Sequence, residues 1–253
     1  MNSLIVIPAR YQSERFPGKP LEMIAGKSLI ERVYWKCSKS KATDVIVATD
    51  DQRIFDHVRS FDGNVCMTST SHRNGTERII EAVERLMDAG EEYEVIINVQ
   101  GDEPLIDHKD INDLIDVFED DETDIATLVK QIDQVEDLNN KNVVKVVLTE
   151  FEEGIADALY FSRLPIPYLR DEASNPLDHH DYYKHIGTYA FSIDVLMSLK
   201  TVPVSSLESA EKLEQLRWLQ NHYVVSAIST SNDAVGVDTP EDVAIVENIL
   251  KRK

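Results

Sequence analysis

The chain has 253 residues, 42% of them hydrophobic, and a formal net charge of −20. That length suits one large α/β domain, or one with a small appendage, and the apolar share is enough for a sizeable core. The acidity argues against nucleic acid or an anionic membrane as a bulk partner; no apolar run reaches the roughly 18 residues of a membrane span; and Cys37 and Cys66, with no Cys-x-x-Cys spacing, argue against a disulfide framework and for a reducing cytoplasm.

Residues 1–8 lack a basic start and a small-residue cleavage site, so they read as a first strand and not as a signal peptide. The run 4–7 is apolar throughout, as expected of a strand buried on both faces. A loop with glycine and proline follows. The spacing then predicts a helix over 28–40, a strand over 45–48, a helix over 54–61 and a strand over 64–67. An amphipathic helix over 76–87, a strand over 95–99 and a helix over 110–118 continue the alternation. Strands alternating with helices predict an α/β fold, a Rossmann-like, mostly parallel sheet with helices on both faces.

The second half is less regular. Strands are predicted at 124–129, 143–148, 158–161 and 224–228, and a polar loop at 170–182. Leu207, Ala210, Leu213, Leu216 and Leu219 predict one long helix over 205–221. Thr239-Pro240-Glu241-Asp242 opens a final helix, with Thr as N-cap, Pro at the first position and acids in the first turn. With no interdomain linker in view, 1–253 reads as a single domain in which 140–190 forms a β-rich lobe or a dimer arm.

The charge is unevenly spread. Residues 1–41 hold eight lysines and arginines against Glu14, Glu22 and Glu31, a local excess of five positive charges. Three of the cations, Arg10, Arg15 and Lys19, fall in the loop directly after the first strand, where open α/β sheets bind ligands. Gly18 supplies a turn there, and arginine forks and a lysine point charge suit phosphate oxygens. The loop matches neither a Walker A sequence nor a dinucleotide fingerprint. By charge and place alone it is either a phosphate site or a plain basic loop.

Two acids stand at other strand ends. Asp102, in Asn98-Val99-Gln100-Gly101-Asp102-Glu103-Pro104, is a turn residue or a magnesium ligand facing the phosphates. Asp238, in Gly236-Val237-Asp238-Thr239, is a helix cap or a second such ligand. Asn74 and Gly75 open the helix over 76–87, whose N-terminus favours anions. The segments around His185 and Glu214, read alone, are ordinary structure.

Taken together and in order, these segments are far more specific. The chain resembles the CMP-Kdo synthetases, the 3-deoxy-manno-octulosonate cytidylyltransferases, from end to end. The resemblance lies in Ile-Pro-Ala-Arg-Tyr-x-Ser-x-Arg-Phe-Pro-Gly-Lys-Pro-Leu at 7–21, Val-Ala-Thr-Asp-Asp at 47–51, Val-Cys-Met-Thr-Ser at 65–69 and Asn-Val-Gln-Gly-Asp-Glu-Pro-Leu-Ile at 98–106. It continues in Ala-Leu-Tyr-Phe-Ser-Arg at 158–163, His-Ile-Gly-x-Tyr-Ala at 185–190, Leu-Glu-Gln-Leu-Arg at 213–217 and Gly-Val-Asp-Thr-Pro-Glu-Asp at 236–242.

The resemblance implies the nucleotide-diphospho-sugar transferase fold with a small β-rich dimerisation lobe. It implies activation of Kdo (3-deoxy-D-manno-octulosonate) by CTP, with Mg2+, to give CMP-Kdo and pyrophosphate for lipopolysaccharide biosynthesis. It also implies a cytoplasmic homodimer. A related branch of the family acts on the 8-amino analogue of Kdo. The nucleotide site maps onto Ala9, Arg10, Lys19, Met67, Thr68, Asn74 and Gly75, with Asn74 standing where many relatives have Ser. The metal carboxylates map onto Asp102 and Asp238, which with Lys19 and Arg10 form the catalytic set. The sugar-acid pocket maps onto Arg15, Arg78, Gln100, Arg163, His185, Tyr189, Glu214 and Gln215, with Arg170 closing it. No separate general base emerges.

Overall fold

The apolar run at 4–7 is the middle of a longer strand, β1 (Ser3–Ala9), in which Ile5, Val6 and Ile7 are wholly buried. The computed structural model describes residues 1–12, 15–119, 123–171, 175–233 and 235–252. Two compact units make up the chain, Met1–Glu119 with Asp233–Lys253, and Asp120–Asn232. Ser13 and Glu14 of the basic loop, and 172–174 of the polar stretch, lie outside the described residues.

In the first unit, a two-residue-strand hairpin of β2 (Met23–Ile24) and β3 (Lys27–Ser28) leads into α1 (Leu29–Cys37). Then come β4 (Asp44–Thr49), α2 (Gln52–Ser60), β5 (Val65–Met67), α3 (Gly75–Asp88), β6 (Val95–Asn98) and α4 (His108–Asp116). Each of the four helices begins on a side-chain oxygen that accepts a backbone N–H of the first turn: Ser28, Asp51, Asn74 and Asp107.

The four long strands run parallel in the order β5-β4-β1-β6. The chain builds outward from β1 to β5 on one side, then returns to lay β6 on the other side of β1. The strand order therefore reverses between β1 and β6. At such a switch point the crevice beyond the carboxyl ends of the strands is where open α/β sheets hold ligands.

The second unit holds β7 (Ile125–Gln131), α5 (Val135–Asn139), β8 (Lys145–Leu148), β9 (Ile155–Ser162), β10 (Tyr183–Ser192), α6 (Ile193–Leu199), α7 (Ser206–Glu211), α8 (Gln215–Gln220) and β11 (Val225–Ser229). Its sheet is mixed. Strand β7 runs antiparallel to β10 and parallel to β11, β9 runs antiparallel to β11, and β8 runs antiparallel to both β9 and β10, so the five strands pair in a ring. The span 140–190 thus supplies β8, β9 and most of β10 to this sheet. The last helix, α9 (Pro240–Arg252), belongs to the first unit.

The helix predicted over 205–221 is two helices. Lys212, with φ 56°, ends α7 in the left-handed region. Arg217 on α8 then forks onto both carboxylate oxygens of Glu208 on α7, at 2.7 and 2.6 Å. The leucine spacing concealed the break because it runs on through it: Leu213, between the two helices, and Leu216 on α8 are both buried.

Lys145 is wholly buried, and its ammonium donates to the carbonyls of Asn140, Val143 and Arg163 at 2.8, 2.6 and 2.7 Å. Three carbonyl acceptors satisfy the three protons of the ammonium. Burial lowers its pKa, and Arg163 lowers it further.

Candidate active site

The basic loop is built from an apolar anchor outward. Phe16 packs on a core cluster of Ile24, Leu29, Leu105, Val237 and Val246, and Pro20 is buried. Gly18 takes φ +78°, and its N–H donates to the Tyr11 carbonyl at 2.8 Å. A Cβ at Gly18 would lie 3.0 Å from the Tyr11 ring, which itself stacks under the Arg53 guanidinium at 3.3 Å. The apolar residues hold the loop down, and the cations between them point into a cleft of about 270 Å³.

Arg10, Arg15 and Lys19 line that cleft together with Ala9, Asn74, Gly75, Arg78, Gln100, Asp102 and Asp238. Ten of the residues the family resemblance selects thus meet at the switch point. The backbones approach closely there: a Cβ on Gly101 would sit 2.8 Å from the Pro8 carbonyl oxygen, so β1 and β6 can converge only around a glycine.

Lys19 sits at the junction of the two acids. Its Nζ is 2.6 Å from Asp102 Oδ2, 3.3 Å from Asp238 Oδ1 and 3.0 Å from the Val237 carbonyl oxygen. The Val237 N–H donates to the Asp102 carbonyl at 2.8 Å, which brings the two acidic segments side by side. Arg15 reaches the other oxygen of Asp238 at 3.2 Å.

At the starts of the helices that follow the two acids, other carboxylates accept the backbone N–H groups. Helix α4 is capped by Asp107, not Asp102. At α9, Asp242 accepts the N–H groups of Asp238 and Thr239 at 2.9 and 2.8 Å, and these bonds hold its pKa down against the rise that burial would cause. The side chains of Asp102 and Asp238 are left to Lys19 and Arg15, and they keep 30% and 52% of their exposure.

Those two carboxylates suit a magnesium ion. They are hard oxygen donors, both reach one common point, and both stay open to the cleft. Among the described residues no group of three or more His, Cys, Asp or Glu could hold a metal.

A family profile for cytidylyltransferases matches residues 4–228. The 3-deoxy-manno-octulosonate cytidylyltransferase of Thermodesulfovibrio yellowstonii is 44% identical over 255 residues, covering 99% of this chain and 98% of that one. The enzyme of the same name from Parabacteroides distasonis is 47% identical, with 96% of each chain covered. The solved structure of CMP:2-keto-3-deoxy-manno-octonic acid synthetase complexed with CTP superposes with a TM-score of 0.90 at 37% identity, covering 100% of this chain and 99% of that one. The chain belongs to the 3-deoxy-manno-octulosonate cytidylyltransferase family.

Within that family assignment, the remaining expected residues fall in distinct places. Met67 ends β5 and Thr68 follows it, and neither lines the cleft. The buried Arg78 donates to Thr68 Oγ1 at 2.5 Å and to Asp50 Oδ2 at 2.7 Å, so its charge is already matched inside the protein. Asn74 caps α3 by accepting the Glu77 N–H at 2.8 Å, a task Ser would also perform.

In the second unit, His185 and Tyr189 lie on β10 on either side of a β-bulge. Their rings are 5.1 Å apart, and Tyr189 stands edge-on to Trp218 of α8 at 4.9 Å. Gln215 of α8 is buried too, and Glu214 precedes it. His185, partly buried, has Nε2 3.0 Å from Thr127 Oγ1, and desolvation pushes its pKa down to about 3, so the ring is neutral at pH 7. Burial, then the charge of Glu214, raises the Tyr189 pKa. The Tyr189 hydroxyl is buried with no hydrogen-bond partner among the described residues.

Arg163 donates to the carbonyls of Glu211 and Lys141 at 2.9 and 3.1 Å, a structural tie between segments. Arg170 is exposed in a bend. Pro8, His72, Arg73 and Gly101 stand in segments selected from the sequence but carried no assigned role there, and all four line the cleft. Their signal was present: each lies within one or two residues of a strand end or helix start already selected.

Proposed function

We propose that this chain transfers the cytidylyl group of CTP to Kdo, releasing pyrophosphate. The observation that carries this reading is the meeting of Arg10, Arg15 and Lys19 with Asp102 and Asp238 at the β1/β6 switch point, in a chain 37–47% identical to enzymes and a structure of that name.

The reaction joins the anomeric hydroxyl oxygen of the sugar acid to the α-phosphorus, and the bond to the β-phosphate oxygen breaks in line. Such a transfer needs positioning and charge neutralisation more than covalent help. Arg10 and Lys19 neutralise the triphosphate, and the N-terminus of α3 adds backbone N–H groups at Gly75. Asp102 and Asp238 would hold the magnesium ion, which when bound polarises the phosphoryl oxygens. We place the substrate carboxylate on Arg15. That side chain is 65% exposed and, among the described residues, paired with Asp238, whereas Arg78 is buried on Asp50 and Thr68. The unpartnered Tyr189 hydroxyl supports a polar ligand group in the second unit, because leaving it unbonded costs about 1–3 kcal/mol.

A homodimer belongs to the same reading. Leu159, Leu164 and Tyr168 of the second unit are 58%, 56% and 85% exposed, apolar side chains that a second copy would cover. Sedimentation at micromolar concentration should give twice the chain mass; a monomer would remove this part of the proposal. The reaction itself is tested by pyrophosphate release with CTP and a panel of sugar acids that includes the 8-amino analogue.

A further inference from the structure

Residues 68–74, between β5 and α3, form neither helix nor strand, yet His72, Arg73 and Asn74 line the cleft. The hydrogen bonds that shape this loop come largely from the helix that follows it. Glu81 Oε2 accepts the Ser69 N–H at 2.7 Å and lies 2.5 Å from His72 Nε2. Its other oxygen, Oε1, accepts from Arg85 Nε and Nη2 at 3.0 and 2.6 Å. From the neighbouring turn, Arg78 Nη1 donates to the Ser69 carbonyl at 3.3 Å, and Glu77 accepts the Arg73 N–H at 2.8 Å. The Ser69 residue is thereby gripped at both its N–H and its C=O by side chains of one helix face.

Glu81 does not line the cleft. It stands behind the loop, with a carboxylate whose two oxygens accept three N–H groups in addition to the His72 contact. Charge-assisted bonds of this kind are about twice as strong as neutral ones. No other described side chain is bonded to both Ser69 and His72.

We infer that Glu81 is a positioning residue for cytidylyl transfer: acting through Ser69 and His72, it holds the 69–74 loop in the shape that presents His72, Arg73 and Asn74 to the nucleotide. The inference rests on the proposed CTP-dependent reaction. Preorganisation of this sort lowers the cost of binding, so its loss falls on KM before it falls on kcat.

The test is steady-state pyrophosphate release with varied CTP for wild type, Glu81→Ala, Glu81→Gln and Arg85→Ala. Glu81→Ala should raise KM for CTP about tenfold while kcat changes by less than about threefold. Glu81→Gln still accepts the Ser69 N–H but loses the charge, and should recover most of the loss, leaving KM raised about threefold over wild type. Arg85→Ala, which removes only the outer partner of Glu81, should match wild type. If Glu81→Ala does not fold, as judged by circular dichroism, the Gln variant decides: a KM raised about threefold supports the inference, and an unchanged KM overturns it. A wild-type KM in Glu81→Ala, or a loss confined to kcat, also overturns it. A wild type that releases no pyrophosphate counts against the reaction and not against Glu81.

Discussion

Lys19 is where the charges of the cleft balance. One ammonium, 14% exposed, touches both acids that the sequence offered as metal ligands, and a neighbouring arginine shares one of them. Replacing Asp102 with Ala should therefore lower kcat by about 10²–10³, the scale of a lost electrostatic contact to developing charge, while circular dichroism stays unchanged. Turnover within twofold of wild type would remove Asp102 from the catalytic set. At this scale the sequence was legible for identity and silent about neighbourhood. Three cations in one loop were plain to read, but only the fold shows that Asp107 caps α4 and that Lys19 touches both Asp102 and Asp238. Arg78 shows the reverse: its place in a motif did not disclose that Asp50 and Thr68 already occupy it.

Elements make the cleft possible by coming very close. Gly101→Ala would drive a Cβ to 2.8 Å from a backbone oxygen of Pro8, neither of which can move cheaply. It should cost about 1–3 kcal/mol in denaturant unfolding and raise KM for CTP as well; an unaltered midpoint would show that β1 and β6 have slack. Strand β10 carries a different signature. The His185 pKa, near 6.5 when unfolded, is depressed to about 3 in the fold by burial. Between those values the unfolded chain binds the extra proton, so stability is fully present above pH 6.5 and declines as pH falls towards 3, by up to about 1.4 kcal/mol per pH unit. Urea unfolding at stepped pH should show that slope, and His185→Gln should flatten it; parallel profiles would contradict the neutral ring. Alternation of strand and helix was legible in the first half because β1, β4, β5 and β6 are apolar runs separated by capped helices. The second unit was less so, because its mixed strands and bulged β10 have no single period, and the α7/α8 break sits under an unbroken leucine spacing.

On the scale of the whole molecule, a chain of net charge −20 places a five-charge positive excess in its first 41 residues and builds one cationic cleft from it. Attraction for a triphosphate is thus local, and the acidic remainder keeps bulk polyanions away. Family membership over the full length and the geometry at the β1/β6 switch point converge on a single reaction. The most direct test is pyrophosphate release by the purified protein with CTP, Kdo and magnesium, omitting each in turn. The account predicts release only when all three are present, with one CMP-Kdo formed per pyrophosphate. Release without Kdo, or none with all three present, would contradict it.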